Sequence, residues 1–315
     1  MKAPIKKSGS PKKDKIIFVV GPTAVGKSDV AVCLAKKLGG EIISCDSMQV
    51  YKGMHTISSQ PADALTKQVP HHLIGIVSPD KEYNVSLYRK AAVKKLKDLI
   101  IRKKVPIFVG GTGMYMTILL DGIFTVKTED PSIREKLYRE AERFGGQYLH
   151  EKLARVDKDA ASRIHPNDTK RIVRALEVFE ATGKPISLLQ KKRKGLAAEY
   201  DVRIFCLDME RAVLYKKIEG RVAKMLAAGL MKEVVDLLKL NLSKTASFAI
   251  GIRELKGFFD GKYDLNHASQ LMSRNTCLYS KRQLTWFRKD KRINWISVGD
   301  KDKPGAVAKK ILLQL

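Results

Sequence analysis

The segment Gly21-Pro22-Thr23-Ala24-Val25-Gly26-Lys27-Ser28 decides the fold, because it follows an apolar run, Ile16 to Val20, and precedes a segment of helical period. It reads G-x-x-x-x-G-K-S, the pattern of a phosphate-binding loop between a strand and a helix. Its two glycines let the backbone curl around an anion, the helix adds its positive end, and Lys27 and a magnesium ion on Ser28 add charge. The motif predicts that a phosphate chain binds here. It leaves open whether phosphate is the group transferred or the group left behind.

Strand and helix patterns alternate from Lys15 to about Leu120, which predicts a parallel sheet flanked by helices. The predicted strands are Ile16 to Val20, Glu41 to Cys45 and Pro106 to Gly110, and the predicted helices are Ser28 to Leu38 and Leu87 to Arg102. The carboxyl ends of parallel strands meet at one edge of a sheet, where chemistry collects. We therefore expect the phosphate loop, Asp46 and Gly110-Gly111-Thr112 to lie close together.

The pattern changes after about Thr125 to helices without intervening strands, which we interpret as a helical insertion. Its predicted helices are Pro131 to Phe144, Gln147 to Val156 and Thr169 to Thr182. A strand from Val202 to Leu207 and one long helix from Arg211 to Leu240 then return to the α/β pattern. The predicted organisation is a disordered basic tail, 1–14, an α/β core of 15–124 and 195–315, and a helical insertion of 125–194.

Composition and cysteine usage exclude several classes of protein. Of the 315 residues 44% are hydrophobic, enough for a packed core. The chain contains no apolar run of about 18 residues and no secretory signal pattern, so a soluble, cytoplasmic protein is expected. The cysteines, Cys33, Cys45, Cys206 and Cys277, are dispersed, which favours buried reduced thiols over a zinc site or a disulfide framework.

The formal net charge of +27 indicates a polyanionic partner, and nucleic acid fits better than a membrane surface. In the turn Ile164 to Asp168, Asn167 or Asp168 is predicted to cap a helix that carries Lys170, Arg171 and Arg174 on one side. A second basic stripe, Lys217, Arg221 and Lys224, recurs at helical spacing, and one member could reach the phosphate site. A third basic segment interleaves Lys281, Arg282 and Arg288 with Gln283, Trp286 and Phe287. A solvated face remains the alternative for the two stripes, and a core position remains the alternative for the two aromatic residues.

The strand before Gly110 distinguishes between classes of phosphate-loop protein. Motor and switch NTPases need an acidic residue at the end of such a strand to hold magnesium, whereas Val105 to Val109 runs into Gly110-Gly111-Thr112-Gly113. This disfavours an ATP-driven motor and leaves small-molecule kinases or a transferase that expels diphosphate. Asp46, at a strand end, is the candidate magnesium ligand or general base.

Several motifs, in order from Ile16 to Arg288, closely resemble the tRNA dimethylallyltransferase family. They are the phosphate loop, Asp46-Ser47-Met48-Gln49-Val50-Tyr51-Lys52-Gly53-Met54, Pro70-His71-His72-Leu73, Val109-Gly110-Gly111-Thr112-Gly113-Met114-Tyr115, Ile164-His165-Pro166-Asn167-Asp168, Arg174-Ala175-Leu176-Glu177 and Lys281-Arg282-Gln283-Leu284-Thr285-Trp286. The resemblance implies a phosphate-loop NTPase-like α/β fold and an enzyme of bacterial type. It also implies transfer of a dimethylallyl group from its diphosphate to N6 of the adenosine 3′ of the anticodon.

The resemblance also assigns residues. It implies that Asp46 is the general base, that Thr112 lies near the reacting centre and that Arg221 neutralises the leaving diphosphate. The diphosphate-binding residues would be Gly21, Thr23, Ala24, Val25, Gly26, Lys27 and Ser28, with Mg²⁺ on Ser28. Contacts with the tRNA anticodon stem-loop would come from Asp46, Ser47, Met48, Gln49, Lys170, Arg171, Ile172, Val173, Arg174, Arg253, Lys281, Arg282 and Gln283. The enzyme is expected to be a monomer that contacts no membrane.

One segment and two single positions depart from the family pattern. His55-Thr56-Ile57-Ser58-Ser59-Gln60-Pro61 stands where the family commonly has Asp-Ile-Gly-Thr-Ala-Lys-Pro, Gly75 replaces a frequent aspartate, and Ile252 replaces an aromatic residue. An isopentenyltransferase acting on free adenine nucleotides, a nucleic-acid-binding ATPase and a small-molecule kinase are the competing hypotheses. The basic insertion and the Ile164 to Asp168 motif favour tRNA over free nucleotides.

Overall fold

The structure is a computed structural model and describes residues 13–124 and 130–315 of the chain. These residues form two compact units, which we call the sheet unit, residues 13–119 and 196–315, and the helical unit, residues 120–195. Of the predicted tail, 1–14, only Lys13 and Asp14 are described. The first residues of the predicted insertion, 125–129, also lie outside the described ranges.

Strands and helices alternate along most of the sheet unit. The strands are β1 (Lys15–Val20), β2 (Gly40–Ser44), β3 (His71–His72), β4 (Val105–Gly110), β5 (Asp201–Asp208) and β6 (Ile293–Ser297). The helices of the chain are α1 (Lys27–Leu38), α2 (Asp63–Thr66), α3 (Val85–Ile101), α4 (Gly113–Asp121), α5 (Pro131–Val156), α6 (Lys158–Ala161), α7 (Thr169–Thr182), α8 (Ile186–Lys191), α9 (Leu196–Glu199), α10 (Arg211–Ala227), α11 (Leu230–Leu238), α12 (Ile252–Phe259), α13 (Leu265–Phe287) and α14 (Pro304–Leu312). A 3₁₀ turn covers Ala246–Phe248.

The described strands form one six-stranded sheet in the order β3-β2-β4-β1-β5-β6, and all neighbouring strands are parallel. The predicted parallel α/β sheet is therefore confirmed. From Ile16 to Val20, β1 is buried at every position, as expected for a central strand covered on both faces. Apolar side chains of α1, among them Leu34 and Ala35, pack on the sheet together with Val307 and Ile311 of α14.

The strand register brings three carboxyl ends to the same level. Val20, the last residue of β1, pairs with Gly110 of β4 and with Cys206 of β5, and Ser44 of β2 pairs with Val109. The segments that follow β1, β2 and β4 consequently emerge at one edge of the sheet. They are the phosphate loop, Asp46 and Gly111-Thr112, as predicted.

The prediction of one helix from Arg211 to Leu240 is wrong. α10 ends at Ala227 and α11 begins at Leu230, because Gly229 adopts φ 90°, in the left-handed region that interrupts a helix. The apolar periodicity continues through Leu226 and Leu230, so the pattern does not reveal the interruption. α10 carries Arg221 and α11 carries Glu233, and both residues matter at the site described below.

The helical unit has its own core, formed by residues such as Leu137 and Leu153 of α5 and Ile172 and Leu176 of α7. α5 is non-helical at Gly145, between the two helices predicted for this segment. α7 begins at the cap Asp168, whose carboxylate accepts from the Arg171 N–H at 3.3 Å. The predicted cap at Asn167 or Asp168 is thus confirmed as Asp168.

Candidate active site

Backbone contacts between strand ends bring Asp46 and Thr112 into one neighbourhood. The Cys45 N–H donates to the Val109 carbonyl at 2.7 Å, and the Thr112 N–H donates to the Cys45 carbonyl at 3.2 Å. Thr112 Oγ1 accepts from the Ser47 N–H at 3.0 Å, and Asp46 Oδ1 accepts from the Met48 N–H at 2.9 Å. Thr112 thus holds the residue that follows Asp46, and the Asp46 carboxylate is oriented by its own turn.

A cavity of about 1,220 Å³ opens at this edge of the sheet. Residues lining it that the sequence analysis singled out are Thr23, Ala24, Gly26, Lys27, Ser28, Asp46, Gln49, Lys217, Arg221, Lys224 and Gln283. Lys217, Arg221 and Lys224, of which one was predicted to reach the phosphate site, all line this cavity. Gly21 and Val25, the other two residues predicted to bind diphosphate, are buried within the loop.

Burial destabilises the charged forms of two cations in the cavity, Lys27 and Arg221. The pKa of Lys27 is lowered to about 8 by burial, which Asp46 opposes and to which Arg221 adds. Burial also lowers the pKa of Arg221, again against the attraction of Asp46. Charged groups held away from water gain from a bound anion. Lys27 Nζ donates to the Pro22 carbonyl at 2.7 Å, a neutral acceptor that does not balance the charge of the ammonium.

Gln283 braces the phosphate loop against the segment after β4. Its Oε1 accepts from the Thr23 N–H at 2.9 Å, and its Nε2 donates to the Gly111 carbonyl at 3.0 Å. A Cβ on Gly111 would lie 2.0 Å from Gln283 Nε2, so only glycine permits this approach. Gln283 was predicted to contact tRNA; in the structure it lines the cavity, and both polar atoms of its buried amide bond within the protein.

Trp286 and Phe287 serve packing, which resolves the alternative that the sequence left open. A Cβ on Gly113 would lie 2.3 Å from Trp286 Cδ1, and Trp286 Nε1 donates to Thr117 Oγ1 at 3.2 Å. Phe287 is fully buried. Gln283 and Trp286, three positions apart on α13, thus contact Gly111 and Gly113, which lie two positions apart on the segment after β4.

Tyr279 is a site residue that the sequence analysis missed. It lines the cavity four residues before Gln283 on α13, within hydrogen-bonding reach of Thr112 and Gln283. Burial raises the pKa of its hydroxyl well above the usual value, with Asp46 adding to the shift. The spacing of one helical turn from Gln283 was the available signal.

The residues predicted to bind RNA on α7 divide into three kinds. Lys170 and Arg171 are exposed, whereas Ile172 and Val173 belong to the core of the helical unit and present no side chain to a partner. Arg174 Nη1 donates to the buried Glu177 carboxylate at 2.8 Å. The apolar face of an amphipathic helix faces its core, so any contact of Ile172 or Val173 with RNA would have to be made by the backbone.

The basic residues predicted on α12 and α13 are exposed. The guanidinium of Arg253 lies 4.5 Å from the ring centroid of Phe248. Arg282 lies 5.7 Å from that of Tyr279, and Lys281 is exposed beside it. Gly75, one of the departures, donates its N–H to the Gln49 carbonyl at 2.9 Å.

Ser28 and Asp46, the two residues that the sequence analysis named as possible magnesium ligands, both line the cavity. Within residues 13–124 and 130–315 no group of three or more His, Cys, Asp or Glu residues could hold a metal by itself. This donor set fits a magnesium ion that keeps water and takes its other ligands from substrate phosphates. In the same part of the chain no helix is long and apolar enough to span a membrane.

Comparisons with known proteins agree with this architecture. The IPP transferase family model matches residues 49–290, and the isopentenyl transferase model matches residues 14–73. The chain is 44% identical over 303 residues to a tRNA dimethylallyltransferase of Carboxydothermus hydrogenoformans, covering 96% of this chain and 97% of that protein. It is also 44% identical over 286 residues to the enzyme of that name from Geobacter sulfurreducens, covering 90% of this chain and 92% of that protein.

Two solved structures are similar over almost the whole chain. The tRNA isopentenylpyrophosphate transferase of Bacillus halodurans is 35% identical with a TM-score of 0.71, covering 96% of each chain. A eukaryotic dimethylallyltransferase acting on tRNA is 27% identical with a TM-score of 0.82, covering 95% of this chain and 78% of that one. On the length and identity of these matches, the chain belongs to the IPP transferase family, whose curated relatives are tRNA dimethylallyltransferases.

Proposed function

We propose that this protein transfers the dimethylallyl group of dimethylallyl diphosphate to N6 of the adenosine that follows the anticodon in tRNA, releasing diphosphate. The observation that carries the proposal is the single cavity in which the cations Lys27 and Arg221 and the carboxylate of Asp46 meet. Cations suit the departing diphosphate, and a carboxylate suits the amine that loses a proton. Membership of a prenyltransferase family supports the same reaction.

The proposed reaction is a substitution at the allylic carbon. The N6 lone pair forms the new N–C bond while the C–O bond to diphosphate breaks and its electron pair leaves with the diphosphate. Asp46 takes the N6 proton as general base. Its Oδ1 accepts from the Met48 N–H, which orients the carboxylate before substrate binds. Orienting the reacting groups in advance lowers the activation free energy of the transfer.

The leaving diphosphate is stabilised by groups fixed in advance. The phosphate loop, braced by Gln283 at Thr23, supplies backbone N–H donors and the N-terminus of α1. Lys27 and Arg221 add positive charge where negative charge develops. Bound Mg²⁺ would neutralise phosphate oxygens, and Ser28 is the residue proposed to hold it.

The tRNA would be bound by residues of both units. We assign RNA contact to the turn Asp46 to Gln49 and to five exposed basic side chains, Lys170, Arg171, Arg253, Lys281 and Arg282. The target base must leave its stack to reach Asp46, so the enzyme reads an unpaired loop. We further propose that the insertion, residues 125–194, binds the anticodon stem-loop and that one monomer is sufficient.

The test is incubation of the protein with labelled dimethylallyl diphosphate, unmodified tRNA and Mg²⁺. Label should enter tRNA, and nuclease digestion should place it on the adenosine 3′ of the anticodon. Label in free adenine nucleotides but not in tRNA would identify the enzyme of free nucleotides instead. ATP hydrolysis without any prenyl transfer would overturn the proposal altogether.

A further inference from the structure

The segment His55–Gln60, which departs from the family pattern, forms part of the cavity wall. His55, Thr56, Ser58, Ser59 and Gln60 all line the cavity that holds Lys27 and Arg221. No motif in the sequence assigned a role to these side chains. One of these side chains contacts Arg221, a cation of the same cavity.

Ser59 makes the direct contact with Arg221. Arg221 Nε donates to Ser59 Oγ at 3.0 Å. Nε–H is one of five guanidinium donors, so a bond at this atom fixes the plane of the group and leaves the terminal nitrogens to face an anion. The contact joins residues 162 positions apart in the chain, and it depends on how each segment is held.

The backbone of Ser59 is held in an unfavourable conformation. Its φ is 48°, in the left-handed region that residues with a Cβ rarely adopt. Gln49 Nε2 donates to the Ser59 carbonyl at 3.1 Å. The side chain of Gln49, which follows the Asp46 turn, thus ties Ser59 to the segment that carries the proposed general base.

Two further side chains, those of Gln60 and Glu233, hold the segment His55–Gln60 in place. Gln60 Nε2 donates to the carbonyls of Gln49 and Tyr51 at 3.1 and 3.0 Å. On the other side the Glu233 carboxylate accepts from the N–H groups of Thr56 and Ile57 at 2.8 and 2.9 Å. Glu233 lies on α11, in the first turn after the helix break at Gly229.

We propose that Ser59 is a positioning residue that aims Arg221 at the leaving diphosphate, and that Gln49, Gln60 and Glu233 hold Ser59 in place for that purpose. The inference rests on the proposed function, because it gives Arg221 a diphosphate to bind. Backbone strain such as that at Ser59 persists only where the surrounding contacts hold it, and it is typical of residues whose side chain has to be placed for function. The hydroxyl is the only group of Ser59 that reaches Arg221 Nε in this geometry.

The experiment compares Ser59→Ala, Ser59→Gly, Arg221→Lys and the double variant Ser59→Ala/Arg221→Lys with the wild type. Transfer to tRNA gives kcat and KM for dimethylallyl diphosphate, and calorimetry with Mg²⁺ gives the Kd of inorganic diphosphate. Ser247→Ala is the matched control, because its hydroxyl donates to the Lys244 carbonyl at 2.9 Å. Melting temperatures check that every variant folds.

Loss of the hydroxyl should lower kcat/KM for the donor about tenfold, as a hydrogen bond to a charged group implies, with a similar loss in diphosphate affinity. Ser59→Gly should lose as much as Ser59→Ala, although glycine relieves the backbone. Lysine has no Nε–H to share, so Ser59→Ala should add no further loss in the Arg221→Lys background.

Two results would overturn the inference: wild-type kinetics in Ser59→Ala while Arg221→Lys is impaired, or full additivity in the double variant. Restored kinetics in Ser59→Gly would assign the effect of Ser59→Ala to backbone strain and would also overturn it. Failure of the proposed function is distinguishable, since the wild type itself would then transfer no prenyl group to tRNA.

Discussion

The sheet unit and the helical unit use positive charge in different ways. Residues 120–195 contain 17 lysines and arginines against 12 aspartates and glutamates, so little of the net charge of +27 lies there. Several of these cations have acidic partners within the unit, as in the pairs Arg174 with Glu177 and Lys152 with Glu140. In the cavity, by contrast, Lys27 and Arg221 share one carboxylate, Asp46, and burial lowers the pKa of both.

The comparison leads to a hypothesis: buried cations that share a single carboxylate mark a binding site better than charge density along the sequence. An exposed cation beside a carboxylate is worth little, because water already solvates it. A buried cation without a full partner is destabilised until an anion arrives. The predictions below test this difference.

The largest effect is expected from Asp46→Asn. The amide cannot take the N6 proton, so turnover should fall by about two to four orders of magnitude, while binding of dimethylallyl diphosphate is retained. Single-turnover transfer to tRNA and calorimetric titration of the donor measure the two quantities. The matched control is Asp168→Asn in the helical unit, since asparagine caps α7 as well as aspartate does. Turnover of Asp46→Asn close to that of the control would remove Asp46 from catalysis.

Acid stability should distinguish two buried carboxylates, Glu41 and Glu177, one in each unit. Hydrogen bonds from Arg102, then from His72, lower the pKa of Glu41 to about 2 despite its burial. The folded-state pKa is below the unfolded value of about 4.3, so this carboxylate stabilises the fold above about pH 4.3. The stabilisation is lost as the pH falls through about 2.

Glu41→Gln should therefore lower the free energy of unfolding by about 2–3 kcal/mol at pH 7, with a difference that shrinks progressively below about pH 4.3. Both tryptophans, Trp286 and Trp295, lie in the sheet unit, and their fluorescence during urea denaturation reports its unfolding. Glu177→Gln, which loses bonds from Arg134 and Arg174 in the helical unit, should leave that fluorescence transition unchanged. Equal shifts for both variants would show that the units unfold as one.

Much of the site followed from the sequence, because local patterns encode strand ends. Apolar runs of five residues located β1 and β4, and parallel strands must present their carboxyl ends together, so Asp46, Thr112 and the phosphate loop were placed correctly at one edge. The roles of Gln283 and Tyr279 were not accessible in this way. Their partners lie on segments far apart in the chain, as in the 172-position separation of Gln283 and Gly111.

The break at Gly229 was missed for a different reason. A single glycine within an amphipathic pattern is compatible with a continuous helix, and only its φ of 90° decides otherwise. Glu233 and the turn it holds at Thr56 and Ile57 were therefore out of reach of sequence reasoning. Ile172 and Val173 belong to the core because the apolar face of α7 packs on α5. The amphipathic pattern of α7 carries this information, but the tRNA assignment came from the family resemblance and did not use it.

A smaller effect is expected from Gln283→Ala, which removes the brace between Thr23 and Gly111. Two buried bonds are lost, so kcat/KM for the prenyl donor should fall by about tenfold to a hundredfold. Affinity for inorganic diphosphate should fall with it, because the phosphate loop loses its support. Gln147→Ala is the control, as this exposed glutamine bonds Glu151 on the surface of the helical unit. If tRNA affinity fell while diphosphate affinity did not, Gln283 would be an RNA contact after all.

The smallest effect is expected from the helical unit, where Lys170→Ala and Arg174→Ala separate an exposed cation from a paired one. If Lys170 contacts a phosphate, its removal should lower the slope of log Kd for tRNA against log salt by about 0.7–0.9. Arg174 already donates to Glu177, so Arg174→Ala should leave that slope unchanged and instead lower the stability of the helical unit, measured by hydrogen exchange of α7. Filter binding of tRNA over a salt series gives both slopes. A larger change in slope for Arg174 than for Lys170 would mean that the ion pair with Glu177 opens and that Arg174 binds RNA phosphate. An ion pair within the protein would then be no sign that a cation stays out of contact with RNA.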